Sequence, residues 1–253
     1  MEYQDIINAL DQCWTNSEHK KTPSDLVIEI LNSIKSCNLS DKERLVVAKK
    51  FIYLKQWQLA EISLESVSKK SREQLQLMAL LAEGLSNTGL FNETERILSL
   101  LPCEIEDEDT ALSKIDALNK FIEYCINSKF LEKALEKLKL LEDQLLSMNR
   151  IHYEQAELLA LAGEFWMNLN KPKKAIRLWK KALVIANNEF EKNRDIGRMR
   201  HTIRQTYDAI IISIAKSGGI NLAERFINLI KDEVGRKQAF ESASKFISFG
   251  KEV

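Results

Sequence analysis

The sequence predicts an all-α protein built from antiparallel helix hairpins laid side by side. Apolar residues recur at spacings of three and four through nearly every segment of ten or more residues, and strand-like alternation is nowhere sustained. Glycine and proline are scarce, 8 and 3 of 253 residues, where average usage would be roughly 12 %. Folds that need many tight turns, such as sandwiches, barrels and parallel sheets with glycine-rich loops, are disfavoured by that scarcity. A hydrophobic content of 45 % beside 29 % charged residues supplies material for a core and too much of it for disorder.

Taken in chain order, Met1 to Leu10 is acidic and lacks a long apolar run, so no secretory signal is expected. Thr22-Pro23-Ser24-Asp25 places a capping hydroxyl before a first-turn proline. Ser40-x-x-Glu43 and Ser71-x-x-Gln74 fit capping boxes, whose side chains satisfy the orphan amides of a helix start. Helical periodicity is clear in Leu45, Ala48, Ile52 and in Leu158, Leu161, Ala162, Phe165, Trp166. Gly89, Gly218, Gly219 and Gly250 are stop signals. The pattern gives about a dozen helices with links so short that neighbours must run antiparallel.

The links carry a repeat. A small residue follows each tight turn: Ala60, Thr94, Ala134, Ala175 and Ala223, at successive spacings of 34, 40, 41 and 48 residues. Twelve residues before each stand Ala48, Ala82, Ile122, Gly163 and Ile211; nine before stand Phe51, Leu85, Cys125, Trp166 and Ile214; four after stand Leu64, Leu98, Leu138, Trp179 and Ile227. Small residues where two helices cross, flanked by large ones that fill the groove, are what one hairpin needs to stack on the next. Trp57, Trp166 and Trp179 fall on these packing positions, which makes them core residues rather than a stacking platform for bases.

This register resembles the tetratricopeptide repeat. Residues 156–186 match through Gly163, Trp166, Ala175, Trp179 and Ala182 with Pro172 in the turn, and residues 41–69 through Ala48, Phe51, Trp57, Ala60 and Leu64. The remaining repeats are degenerate, since Thr94 replaces an alanine and Ile122 and Ile211 stand where the family prefers small residues. The resemblance implies a right-handed superhelical solenoid of antiparallel helix hairpins forming one domain. Residues 1–37 make an atypical leading hairpin, 41–234 five degenerate repeats and 235–253 a C-terminal capping helix.

Charge and motifs limit the function. Thirty-seven basic and thirty-seven acidic residues cancel, removing the positive field that a nucleic-acid binder carries. Cys13, Cys37, Cys103 and Cys125 are scattered without metal-ligand spacing and read as reduced thiols. The longest uncharged apolar run, Ala209 to Ala215, is about a third of a membrane span, so a cytoplasmic location with no membrane partner is expected. No phosphate loop, dinucleotide fingerprint, zinc-protease motif or nucleophile elbow occurs. His19, His152 and His201 lie far apart in polar contexts. No cofactor, metal or catalytic residue is assigned. Glu104 to Asp109 reads as a solvated connector, and Lys192, Arg194, Arg198, Arg200 and Arg204 with His201 form a basic window against Asp195 alone.

The resemblance also implies where a partner binds, because the first helix of each hairpin lines the concave face. The family's groove positions fall on Lys42, Leu45, Lys49, Ile52 and Tyr53 in the first repeat. In the second they include Glu83 and Asn87, in the third Asp116, Asn119, Glu123 and Asn127, in the fourth Glu157, Glu164 and Asn168. The fifth contributes Gln205, Asp208 and Lys216. The middle repeats thus carry acids without bases, and Asn87, Asn127 and Asn168 recur at one position, each four residues after a Glu. Carboxamides offer a donor and an acceptor to an extended peptide backbone, while a row of Glu selects Lys or Arg. The expectation is a non-catalytic scaffold that binds a basic or polar peptide of a protein partner. A peptide-sensing regulatory domain and a non-catalytic subunit of an enzyme complex are the alternatives. Phe240, Phe246, Ile247 and Phe249 suggest a homodimer through the C-terminal helix.

Overall fold

The structure is a computed structural model that describes residues 3–17, 39–67, 71–103, 105–148 and 153–249, with the side chains of residues 3, 12–17 and 246–249 outside that description. Among the described residues there are twelve helices and no strand. The chain falls into two compact units, 1–121 and 122–253. Part of the leading hairpin expected over residues 1–37 lies outside the described residues.

The first unit holds α1 (Tyr3–Ser17), α2 (Asp41–Tyr53), α3 (Trp57–Glu65), α4 (Arg72–Asn87), α5 (Phe91–Leu100) and the larger part of α6 (Glu108–Asn127). Helix α2 packs on its hairpin partner α3 and on α4, and α4 packs on α3 and on its own partner α5. Lys50 and Asp11 form an ion pair between α2 and α1. The second helices of the two hairpins are joined by Arg96, which pairs with Glu61 and, at 3.0 Å, with Glu65. The acidic connector is more than solvated chain: Asp107 caps α6 through the Thr110 amide at 3.2 Å and pairs with Arg72.

The second unit begins within α6 and continues through α7 (Leu131–Ser147), α8 (Tyr153–Asn168), α9 (Pro172–Lys192), α10 (Gly197–Gly218), α11 (Ile220–Ile227) and α12 (Glu233–Phe249). Helix α8 packs on α7, on its partner α9 and on α10; α10 packs on α9, on its partner α11 and on α12. Contacts between α8 and α10 advance together, Glu157 with Thr206, the Ala160 carbonyl with Ser213, and Glu164 with Lys216, so these two helices run parallel. Arg177 on α9 pairs with Glu142 on α7, repeating the arginine bridge that Arg96 makes in the first unit. Glu142 is buried and also accepts from the Trp166 indole at 3.0 Å.

Apart from Trp57, the residues of the sequence-derived packing register named above are buried, from Ala60, Thr94, Ala134, Ala175 and Ala223 to Trp166 and Trp179. Trp57 is half-buried. The register holds because one turn is built four times. Lys55, Gly89, Lys129 and Asn170 adopt φ of 58°, 79°, 63° and 56°, the left-handed conformation that ends a helix. The next amide then returns to a carbonyl five residues back: Gln56 to Phe51, Leu90 to Leu85, Phe130 to Cys125 and Lys171 to Trp166, at 2.8–3.0 Å. The carbonyl of that same residue starts the following helix by accepting from Ala60, Thr94, Ala134 or Ala175. A single residue therefore closes one helix and opens the next, which brings the small residue to the crossing point.

Ser40 and Glu43 form the full capping box. Ser71 accepts from the Gln74 amide, but the Gln74 side chain leaves the box and donates to the Leu64 carbonyl at 3.0 Å. Gln155 repeats this contact with the Leu145 carbonyl. In both cases the third residue of a first-of-pair helix clasps a carbonyl near the end of the preceding helix.

Helix α12 docks on α10 through Ala239 and Ala243 and through Gln238, whose amide reaches Asp208 at 2.5 Å. The other Asp208 oxygen is buried without a hydrogen-bond partner. Burial pushes the Asp208 carboxyl above its ordinary range, against the opposing hydrogen bonds from Gln238 and Ser242. A raised folded-state pKa favours the protonated fold, so the stabilisation is present below the unfolded carboxylate range and is lost as pH rises through the folded value. Asp208→Asn, which mimics the protonated acid, is expected to raise the urea midpoint at pH 7 and to leave it nearly unchanged near pH 3. Equal midpoints at neutral pH would refute this assignment.

Candidate peptide-binding surface

Asn87, Asn127 and Asn168 are the last residues of α4, α6 and α8, each two residues before the left-handed turn residue. The backbone of the turn already caps the helix carbonyls, so the asparagine side chain is not needed for that task. All three side chains are exposed and make no hydrogen bond among the described residues. Each leaves a free donor and a free acceptor beside a helix end, where the dipole is negative.

The acids divide into open and occupied. In the first unit Glu83 is half-buried and Asp116 is exposed, whereas Asn119 is buried with its side-chain oxygen unpartnered. In the second unit Glu123 is exposed. Glu157 is half-buried and accepts from the Thr206 hydroxyl at 2.7 Å, and Glu164 is buried and paired with Lys216 at 2.6 Å. The expectation that Glu164, Glu157 and Asn119 stand open to a partner is thus corrected. For Glu157 and Glu164 the physical reason is the packing of α8 on α10: the face of α8 that carries them is the face it turns to α10.

Lys216 occupies in α10 the repeat position that Asn168 holds in α8, and it neutralises the glutamate of the preceding repeat. That signal was present in the repeat alignment, where a base at this position already stood next to a row of acids. The residues left open are Asn87 and Asp116 in the first unit and Glu123, Asn127 and Asn168 in the second. Among the described residues no group of three His, Cys, Asp or Glu side chains is placed to hold a metal ion, and no helix is long and apolar enough to cross a membrane. Cys125 is buried, Cys103 is exposed, the Cys13 side chain lies outside the description, and Cys37 lies outside the described residues. So do His19 and His152, while His201 is exposed. Phe240 is exposed, and the side chains of Phe246, Ile247 and Phe249 lie outside the described residues.

Comparison of the chain with models of protein families, with curated proteins and with solved structures returned no match.

Proposed function

We propose that this chain is a non-catalytic interaction module of stacked, tetratricopeptide-like hairpins that binds a basic or polar peptide of a partner protein. The observation that carries the reading is the repeated exposed asparagine at the end of a first-of-pair helix, free of any capping duty. Asn127 and Asn168 supply paired donors and acceptors for a peptide backbone, and Glu123 supplies an uncompensated acid for a Lys or Arg side chain. Glu164 and Glu157 act as internal contacts that fix α8 against α10, and so position Asn168.

The test is binding of arrayed peptides of graded charge to the full chain. Asn127→Ala with Asn168→Ala is expected to weaken the bound peptides by about tenfold, the loss of one or two hydrogen bonds. Glu123→Lys is expected to abolish the preference for basic peptides while polar ones are retained. Unchanged affinities in both variants would reject the surface.

A further inference from the structure

We propose a second docking surface, for an acidic peptide segment of a protein partner, at the corner where α9 hands over to α10. Residues 192–204 include Lys192, Arg194, Arg198, Arg200, His201 and Arg204 against a single acid, Asp195. Two of these cations are used inside the protein, Lys192 by Glu189 at 2.9 Å and Arg204 by Asp232 at 2.5 Å. Arg194, Arg198 and His201 are exposed and Arg200 is half-buried, and none of the four forms an ion pair among the described residues. The acids closest in sequence before the corner are themselves occupied, Glu189 by Lys192 and Glu191 by Lys231 at 3.7 Å.

Folding does not explain this cluster. Arg198 and Arg200 stand in the first turn of α10, which contains no acid and whose preceding residue, Ile196, makes no side-chain cap. Cations at that end oppose the helix dipole, whereas a carboxylate there is stabilising. A row of carboxylates from a partner reverses the sign of the interaction and engages the guanidinium forks on two nitrogens each.

The chemistry also selects the class of partner. Ile196 is 52 % exposed between Arg194 and Arg198, an apolar contact that suits a peptide alternating acids with large apolar residues and has no counterpart on a phosphate backbone. The chain's formal net charge of zero removes the broad attraction on which polynucleotide binding depends. Because α8 and α10 run parallel, this corner lies at the opposite end of the pair from Asn168, so the two surfaces can be tested independently.

Fluorescence anisotropy with the full chain tests the proposal, using a short labelled peptide of alternating Glu and Leu, its Gln counterpart and a labelled single-stranded oligonucleotide. The Glu peptide is expected to bind, the Gln peptide at least about tenfold more weakly, and added salt to erode the difference. The triple variant R194E/R198E/R200E is expected to lose the Glu peptide while N127A/N168A keeps it, and the triple variant is expected to hold or raise its Tm by circular dichroism. Should the triple variant fail to fold, the single Arg198→Gln substitution is expected to give a partial loss. Binding unaffected by these substitutions, equal binding of the Gln peptide, or tighter binding of the oligonucleotide would overturn the proposal.

Discussion

Asp232→Ala is expected to lower the stability of the second unit by about 3 kcal/mol, the largest loss anticipated from a single polar side chain. Asp232 is buried and opens α12: its carboxylate accepts from the Gly235 amide at 3.1 Å, and its carbonyl accepts from Arg236 at 2.8 Å. The same carboxylate takes Arg204 of α10 on both oxygens, at 2.5 and 3.3 Å. Losing the cap costs about 1 kcal/mol. Breaking a fully buried ion pair costs more, and the partial exposure of Arg204, 23 % of its side chain, reduces that share to about 2 kcal/mol because water takes up the freed guanidinium.

The pH dependence of this contact has the opposite sign to that of Asp208. Burial alone would raise the Asp232 carboxyl, but the hydrogen bond and charge of Arg204, with the amides of Gly235 and Val234, outweigh it and hold the pKa below the ordinary range. A lowered folded-state pKa gives stability that is present above the unfolded carboxylate range and is lost as pH falls through the folded value. Urea titrations near pH 7 and pH 3 should therefore show the Asp232→Ala penalty shrinking in acid. A penalty that is constant across that range would mean that the charge of Asp232 contributes little to it.

Gly163→Ala is expected to destabilise the same unit by about 2 kcal/mol, although alanine is the better helix former. Propensity favours the substitution by about 1 kcal/mol. Against it, a Cβ at Gly163 would stand 2.5 Å from the Trp179 indole nitrogen and 2.7 Å from the adjacent ring carbon. Trp179 is fully buried, and its N–H is fixed on the Ala160 carbonyl at 3.0 Å, so the ring cannot yield without breaking that bond. Overpacking of this kind costs about 3 kcal/mol at its upper range. Gly84→Ala is the informative comparison. Its Cβ meets only the far edge of Trp57, a half-buried ring with no hydrogen bond among the described residues to hold it, so a smaller loss is expected in thermal melts of the two variants. Equal losses would show that the indole hydrogen bond does not anchor the Trp179 ring.

The packing of each hairpin was legible from spacing because helical periodicity and side-chain volume are local properties. Ala60, Thr94, Ala134, Ala175 and Ala223 are buried where the repeat put them, and even Thr94, which breaks the alanine pattern, fits by turning its hydroxyl to the Leu90 carbonyl at 2.8 Å. What spacing did not reveal was which polar residues are consumed inside the protein. Glu164 and Glu123 occupy the same repeat position, yet one is buried against Lys216 and the other is exposed, and that difference depends on the residue the neighbouring helix offers. Gln74 shows the same limit: its spacing from Ser71 satisfies the capping-box pattern, but the Leu64 carbonyl of the preceding helix takes its amide. The division into two units was equally invisible, since the boundary falls within the unbroken helix α6.

The four-fold turn has a consequence for how the chain tolerates cutting and grafting. Within each of these four hairpins the link is fixed by one left-handed residue and a fixed hydrogen-bond count, so an inserted residue would rotate the second helix off its crossing point. Between hairpins, as from Leu100 to Glu108, the connections vary in length, and the growth of the repeat spacing from 34 to 48 residues has been absorbed there and in longer helices. New termini, tags or passenger domains therefore belong at the seams between hairpins, where the chain's own connections already differ in length.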